Sequence, residues 1–271
     1  MGKGRWVNVS KLFVIRKEIP KKTYTLLITA SFALLIAAWV VLTEGGFIKA
    51  IILPSPRAVV KYIIESALNQ SLWRDMGISF YRILGGFVFA VLLGIPLGIL
   101  VGTFKVAEAF MRPLCEFIRY MPVPAFVPLI MIWVGIGEEA KMAVIFMGTL
   151  FQLIPIVADN IMSVPDDLIN AAYTLGANRR QSIFKVLIPG FLPKMMETLR
   201  VMMGWAWTYL VTAELVAANS GLGYSILKAQ RFLKTDAIFG GILVIGLLGL
   251  VIDRTMAFLN KKMFPWYDGV I

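Results

Sequence analysis

The sequence has no histidine and a single cysteine, Cys115, in 271 residues. Without histidine the commonest general base and metal ligand is missing, and one cysteine cannot form an intrachain disulfide. Charge is scarce as well, at 16% of residues, against roughly a quarter in a soluble domain of ordinary composition. The charges that exist gather in short connectors, and apolar runs of about 20 residues lie between them, long enough to cross a ~30 Å hydrocarbon core as helices. In lipid a helix satisfies its backbone hydrogen bonds within one segment. An ordinary soluble fold is therefore excluded. No nucleophile with a base, paired acids or ligand cluster stands out, so neither catalytic residues nor a metal site are expected. The phosphate-binding pattern Gly-x-x-x-x-Gly-Lys-Ser/Thr is also absent, which assigns any nucleotide to another chain.

What is present is a strongly apolar chain, 59% hydrophobic, with a net charge of +11. Such a charge can signal nucleic acid, but in a membrane protein it reads as flanks that face anionic lipid. The pattern predicts an all-α polytopic membrane protein with about six spans, near residues 24–43, 78–103, 115–135, 141–161, 195–217 and 237–259. The basic start is long and the first apolar run too long for a cleavable signal, so residues 1–22 read as a retained basic segment. The transmembrane domain covers 23–260 and a short tail covers 261–271. Span three contains Pro122, Pro124 and Pro128 and is expected to be kinked or irregular in its first half. Lys and Arg set the orientation. Seven precede span one, three lie between spans two and three or at the edge of span three, five between spans four and five or in the first turns of span five, and three at the end of span six or in the tail, which together are 18 of the 27. That side is expected to be cytoplasmic, with both termini on it.

The first outer loop holds Pro54-Ser55-Pro56-Arg57, then Val59, Val60, Ile63, Ile64, Ala67 and Leu68 at helical spacing. This reads as an interfacial helix on the outer leaflet or a docking surface for another protein. Span two carries Gly86, Ala90, Gly94, Gly98 and Gly102 every four residues, a face of small side chains that admits a close helix neighbour in lipid. The neighbour is either in this chain or in a second copy. Polar groups inside spans are often functional. Gln152, Thr208 and Glu214, with Trp205 and Trp207, are candidates for a translocation pathway. For Gln152 and Thr208 the alternative is an interhelical hydrogen bond, and for the tryptophans packing. Glu214, ~28 Å along its helix from Met195 at ~1.5 Å per residue, is either hydrated at the outer surface or part of an outer gate or network. Arg82 reads as an anchor that snorkels to headgroups.

The connector at 163–193 is far longer than two adjacent spans need. Pro165 with Asp166 and Asp167 suits a helix start. Leu168, Ala171, Ala172 and Leu175 form a short apolar face, and Gly176 suits the helix end. Asn178 is placed to cap a second helix that ends before Pro189. A compact helix-turn-helix results, with small residues outward, a surface suited to another protein's groove.

The run Asn170-Ala-Ala-Tyr-Thr-Leu-Gly176 through Val186-Leu-Ile-Pro189 resembles the EAA loop of binding-protein-dependent ABC importer permeases. Ala171, Ala172, Gly176 and Pro189 match at the family's spacing. Asn170 replaces the usual Glu, and Val186 and Ile188 depart conservatively. Over residues 50–260, Leu53-Pro54-Ser55-Pro56, Arg119-Tyr-Met-Pro122, Pro128-Leu129 with Trp133-Val-Gly135-Ile-Gly137, and Ala213-Glu214 with Gly221-Leu-Gly223 are similar to the nitrate/sulfonate/taurine/bicarbonate branch.

The resemblance implies a type I ABC importer permease fold in the bacterial inner membrane. It further implies a second, often identical, permease copy and an external solute-binding protein. Cytoplasmic ATPase subunits would hold ATP and Mg, leaving no cofactor in this chain. Asn170, Ala171, Ala172, Leu175, Gly176 and Pro189 would form the ATPase-coupling surface, and the cargo would be a small anion or organic acid. A secondary carrier or channel that works without an ATPase is the alternative reading.

Overall fold

The structure, a computed structural model, describes residues 19–267. Lys3, Arg5, Lys11, Arg16 and Lys17 of the basic segment and the last four residues of the tail lie outside the described residues. In chain order the elements are α1 (Lys21–Glu44), α2 (Pro56–Leu68), α3 (Ser71–Thr103), α4 (Lys105–Arg119), α5 (Val123–Val134) and α6 (Glu138–Met162). There follow α7 (Asp166–Thr174), α8 (Arg179–Ser182), a π turn (Ile183–Leu187), α9 (Ile188–Ala217), α10 (Leu222–Arg231) and α11 (Thr235–Met263). No strand occurs among the described residues.

Four helices are long and apolar enough to cross a membrane, namely α1, α3, α6 and α11, and the α4–α5 pair would make a fifth. The expected span at 115–135 is not one helix: α4 and α5 meet at an angle of 102°. Pro122 lies in the break, where it extends the backbone before α5 starts. Proline both removes a donor and disfavours helix in the residue before it. The expected span at 195–217, the fifth, falls on α9, whose 30 residues would reach ~45 Å. Composition does not mark it as a span, because Lys194, Glu197, Arg200 and Glu214 are spread along it. Two of these charges are compensated inside the protein. Arg200 donates two hydrogen bonds to Asp253 of α11, and Glu214 lies in the cluster described below.

The small-residue face of α3 packs on α6 of the same chain. A Cβ added at Gly86 would lie 2.6 Å from the Met142 carbonyl oxygen, and one at Gly98 2.6 Å from the Val157 Cβ. At Gly94 and Gly102 the nearest atoms would be Leu153 at 2.9 Å and the Ala158 oxygen at 2.8 Å. Ala90 is fully buried in the same row. Without side chains in the way, the two backbones approach to a distance that dispersion alone rewards, which is how helices associate where lipid removes the hydrophobic drive. On its other side α6 repeats the device, with Gly148 under the ring of Tyr209 from α9. Thus α6 is the central helix, flanked by α3 and α9. Leu153, Val157 and Ile161 from α6 join Phe191, Met202 and Leu210 from α9 in the main core.

The remaining helices are peripheral. α11 lines up beside α9 and α10, and α2 folds onto α11 where Gly240 meets the Tyr62 ring. The apolar stripe of α2 is divided: Val59 is fully buried, whereas Val60, Ile64 and Leu68 are exposed. α1 has no buried residue. Near its end the Trp39 indole donates to the Pro54 carbonyl at 2.9 Å and stacks obliquely on Phe239.

The packing of α3 on α6 sets opposite expectations for two glycines. Gly98→Ala forces a methyl onto Val157 and should lower stability by about 1–3 kcal/mol. Gly246, with nothing within 4 Å, should gain up to about 1 kcal/mol as alanine, from helix propensity. Thermal unfolding of both variants in detergent checks the pair; equal shifts would contradict this packing.

Candidate functional site

Two regions at opposite ends of the bundle carry the unusual chemistry. The first is the loop between α6 and α9. Asp166 and Asp167 lie in the first turn of α7, with Pro165 as its N-cap rather than its first helical residue. The helix ends as a Schellman motif: Ala177 N–H donates to Ala172 O and Gly176 N–H to Tyr173 O, both at 2.9 Å. Gly176 has φ of +84°, the left-handed conformation that glycine adopts without cost. Asn178 caps α8 in a reciprocal capping box with Gln181, each bond 2.9 Å.

The second loop helix does not end before Pro189, contrary to the expectation from sequence. It widens into the π turn and runs directly into α9, where Pro189 occupies the first turn. That is a position where the missing N–H is not required, so the proline does not break the helix. Val164, Leu187 and Phe191 anchor the loop in the main core. The Arg179 guanidinium lies 4.4 Å from the ring centre of Phe104, tying the loop to the α3–α4 corner. Lys194 Nζ donates to Ser163 Oγ at 3.0 Å.

Of the residues predicted for this surface, Asn170, Ala171, Gly176 and Pro189 are exposed, and Leu175 is 88% exposed. Ala172 faces inward at 9%. The apolar face expected from sequence is therefore outward at Leu168, Ala171 and Leu175, with nothing upon it among the described residues.

The second region is a buried charge cluster at the other end. Arg82 of α3 is fully buried and is not a headgroup anchor. Its Nε and Nη2 donate to the two oxygens of Glu138 at 2.5 and 2.9 Å. Its Nη1 donates to Glu214 Oε1 at 2.7 Å and to the Ser220 carbonyl at 2.6 Å. A further bond runs from Nη2 to Ser220 Oγ at 3.1 Å. A guanidinium has five N–H donors, and all five are used.

Glu214 is likewise fully buried rather than hydrated. It also accepts from Ser79 Oγ and from Gly223 N–H, each at 2.7 Å. Gly221 is held against it at φ +108°, where any Cβ would collide with the carboxylate. Lys141 completes the charge balance by donating to Glu138 at 2.7 Å. Ser79, Glu138, Lys141 and Ser220 were not anticipated from sequence. Pairing the arginine of span two with the acid of span five would have pointed to the cluster, since intramembrane charges pair with one another.

The pathway candidates are not brought together. Trp205 and Thr208 share the open face of α9 with Val201, whereas Trp207 is buried in the core. Gln152 lines a recess of about 20 Å³ beside Arg119, Phe126 and Met147, room for about one water. Glu214 belongs to the charge cluster.

Residues 90–265 match the family described as "Binding-protein-dependent transport system inner membrane component". A probable ABC transporter permease protein of Brucella abortus (strain 2308) is 36% identical over 238 residues, 88% of this chain and 94% of that one. The taurine transport system permease protein of Escherichia coli (strain K12) is 33% identical over 245 residues, 89% of each. Among solved structures, the methionine ABC transporter in an inward-facing conformation aligns with a TM-score of 0.55 at 21% identity. That alignment covers 70% of this chain and 95% of that one, and at such identity it speaks to the fold.

The charge cluster predicts asymmetric mutational costs. Arg82→Gln leaves the buried carboxylate of Glu214 without its cation, while Glu138 keeps Lys141, and should cost about 3–5 kcal/mol, as for other broken buried pairs. Arg82→Lys should not recover the loss, because an ammonium lacks the planar fork. Unfolding temperatures in detergent test this. A lysine variant as stable as the parent would show that the fork is not needed.

Proposed function

The chain belongs to the family of binding-protein-dependent transport system inner membrane components, and from that premise we propose how it works within an ABC importer. Its loop α7–α8 docks into a separate ATPase subunit, which holds ATP and Mg, and two permease copies enclose the route between them. An external solute-binding protein delivers the cargo. The exposed apolar patch of Leu168, Ala171 and Leu175 carries this reading. It sits on a loop fixed from behind by Val164, Leu187 and Phe191, and an exposed apolar helix face is what helix-in-groove docking requires. Asn170, exposed beside it, replaces a carboxylate in the family pattern without altering the helix.

The loop lies on the cytoplasmic side together with both termini, in accord with the excess of Lys and Arg there. α9 then crosses the membrane as a sixth span, its charges matched by Asp253 and by the Arg82 cluster. Trp205 and Thr208 on its open face line the route, and Gln152 borders it at the α4–α5 corner. For cargo we propose a small oxyanion or organic acid. The similar permeases are named for taurine, for aliphatic sulfonates in Bacillus subtilis and for bicarbonate in Synechocystis, which share a compact anionic group.

Ala171→Glu is the sharpest test, because its side chain is exposed and its backbone unstrained. Uptake of labelled taurine into vesicles that hold the chain, its ATPase and its binding protein should fall to about a tenth or less, with insertion unchanged. Gly176→Arg should do the same. Wild-type uptake and ATPase assembly in both variants, or flux through the chain reconstituted alone, would overturn the proposal.

A further inference from the structure

A cavity of about 710 Å³ opens between α2, α3, α10 and α11, at the end of the bundle that holds the Arg82 cluster. It is as large as small-molecule sites usually are, roughly 300–1,000 Å³. It touches neither the coupling surface nor Trp205 and Thr208. Arg74, Lys228 and Lys234 line it, and none of them is in an ion pair among the described residues. Asp75 is the one acid in the lining, and it is already engaged by Gly221 N–H at 3.1 Å and by Ser225 Oγ. The lining thus carries three cations against one carboxylate, a formal excess of positive charge. Its floor is different in kind, since Leu222 and Val244 belong to the main core, with Leu72 packed against them.

The backbone at the mouth is unusual. Gln70 and Leu233 are the non-glycine residues with positive φ among the described residues, at 60° and 54°. Each follows a helix that forms a wall, α2 or α10, at the position that glycine normally takes. Gln70 lines the cavity itself, and Leu233 lies between the lining residues Phe232 and Lys234. Side chains are therefore kept at both turns where glycine would relax the chain, a pattern associated with ligand clamps.

We infer that this cavity binds an anionic amphiphile, with a sulfonate, carboxylate or phosphate at the cationic rim and a hydrocarbon tail along the apolar floor. The Arg74 fork suits two oxygens of one headgroup, and the two lysines add point charge. Such a ligand is either a free alkyl acid or an anionic membrane lipid, and the shared chemistry is what the site reads.

The experiment uses the full chain in phosphatidylcholine nanodiscs, with octanesulfonate as probe and isothermal titration as readout. Binding should be saturable, weaken with salt, and fall about three- to fourfold for each methylene removed from the probe. Octanol should bind at least tenfold more weakly. The triple variant Arg74→Gln, Lys228→Gln, Lys234→Gln should lose at least tenfold in affinity with its unfolding temperature unchanged, and Lys228→Gln alone should lose part of that. Phosphatidylglycerol in the discs distinguishes the sources. Competition that disappears in the triple variant identifies a lipid, and its absence identifies a soluble acid; either result supports the site. Equal affinity for wild type and triple variant would overturn it, as would no saturable binding together with no preferential retention of phosphatidylglycerol. Loss of binding-protein docking in a triple variant that binds octanesulfonate normally would also overturn it, and would make the rim a protein surface.

Discussion

A guanidinium withdrawn from water must find an acceptor for each of its five N–H groups, and that demand organises one end of this molecule. Arg82 meets it only because α3, α6, the end of α9 and the turn at Ser220 converge on one point. Each partner is then constrained in turn. Glu214 needs Ser79 and the Gly223 amide for its remaining lone pairs, and the turn must carry glycine at 221 for lack of room. A buried ion pair is no assurance of stability, since desolvation can exceed the attraction. Its contribution here is geometric. The observed arrangement of these four segments leaves none of the four charges without a partner.

Away from that end, glycine does the organising. The α3–α6 contact is a line of missing side chains, and Gly148 opens a second approach to α9. Both contacts use van der Waals packing at short range, the force that remains between helices when the solvent is as apolar as they are. The result is a three-helix centre, α3–α6–α9, to which α1, α2 and α11 add from outside. α1 contributes little to the packing, consistent with its even distribution of apolar residues, which offers no preferred face.

The sequence made some of this legible and left the rest out of reach. Apolar runs marked α1, α3, α6 and α11 because length and hydropathy are local properties. The four-residue period of Gly86 to Gly102 announced a close contact, but not that the neighbour was α6, since a small-residue face looks the same to either partner. Asn178 and Gly176 were readable as caps because capping is settled within a few residues. Arg82 was misplaced when weighed singly, because by depth it resembled an interfacial group, and Glu214 was left between hydration and a network. Their burial depends on a chain separation of 132 positions being closed, which no local pattern reports. The corner at Pro122 was anticipated as a kink and is a turn of 102° between α4 and α5, with Val106, Phe110 and Phe117 of α4 exposed. Pro189 was read as a stop, and the π turn allowed it to be a first-turn residue instead.

That π turn has a mechanical side. Because helical backbone continues from Arg179 to Ala217, the α7–α8 loop and the Arg82 cluster are attached to opposite ends of one beam. At ~1.5 Å per residue α9 is ~45 Å long, so a rotation of about 5° about one end carries the other roughly 4 Å. A hydrogen bond fails over far less than that. The beam therefore converts a small angular change around α7 into a travel large enough to matter at Glu214.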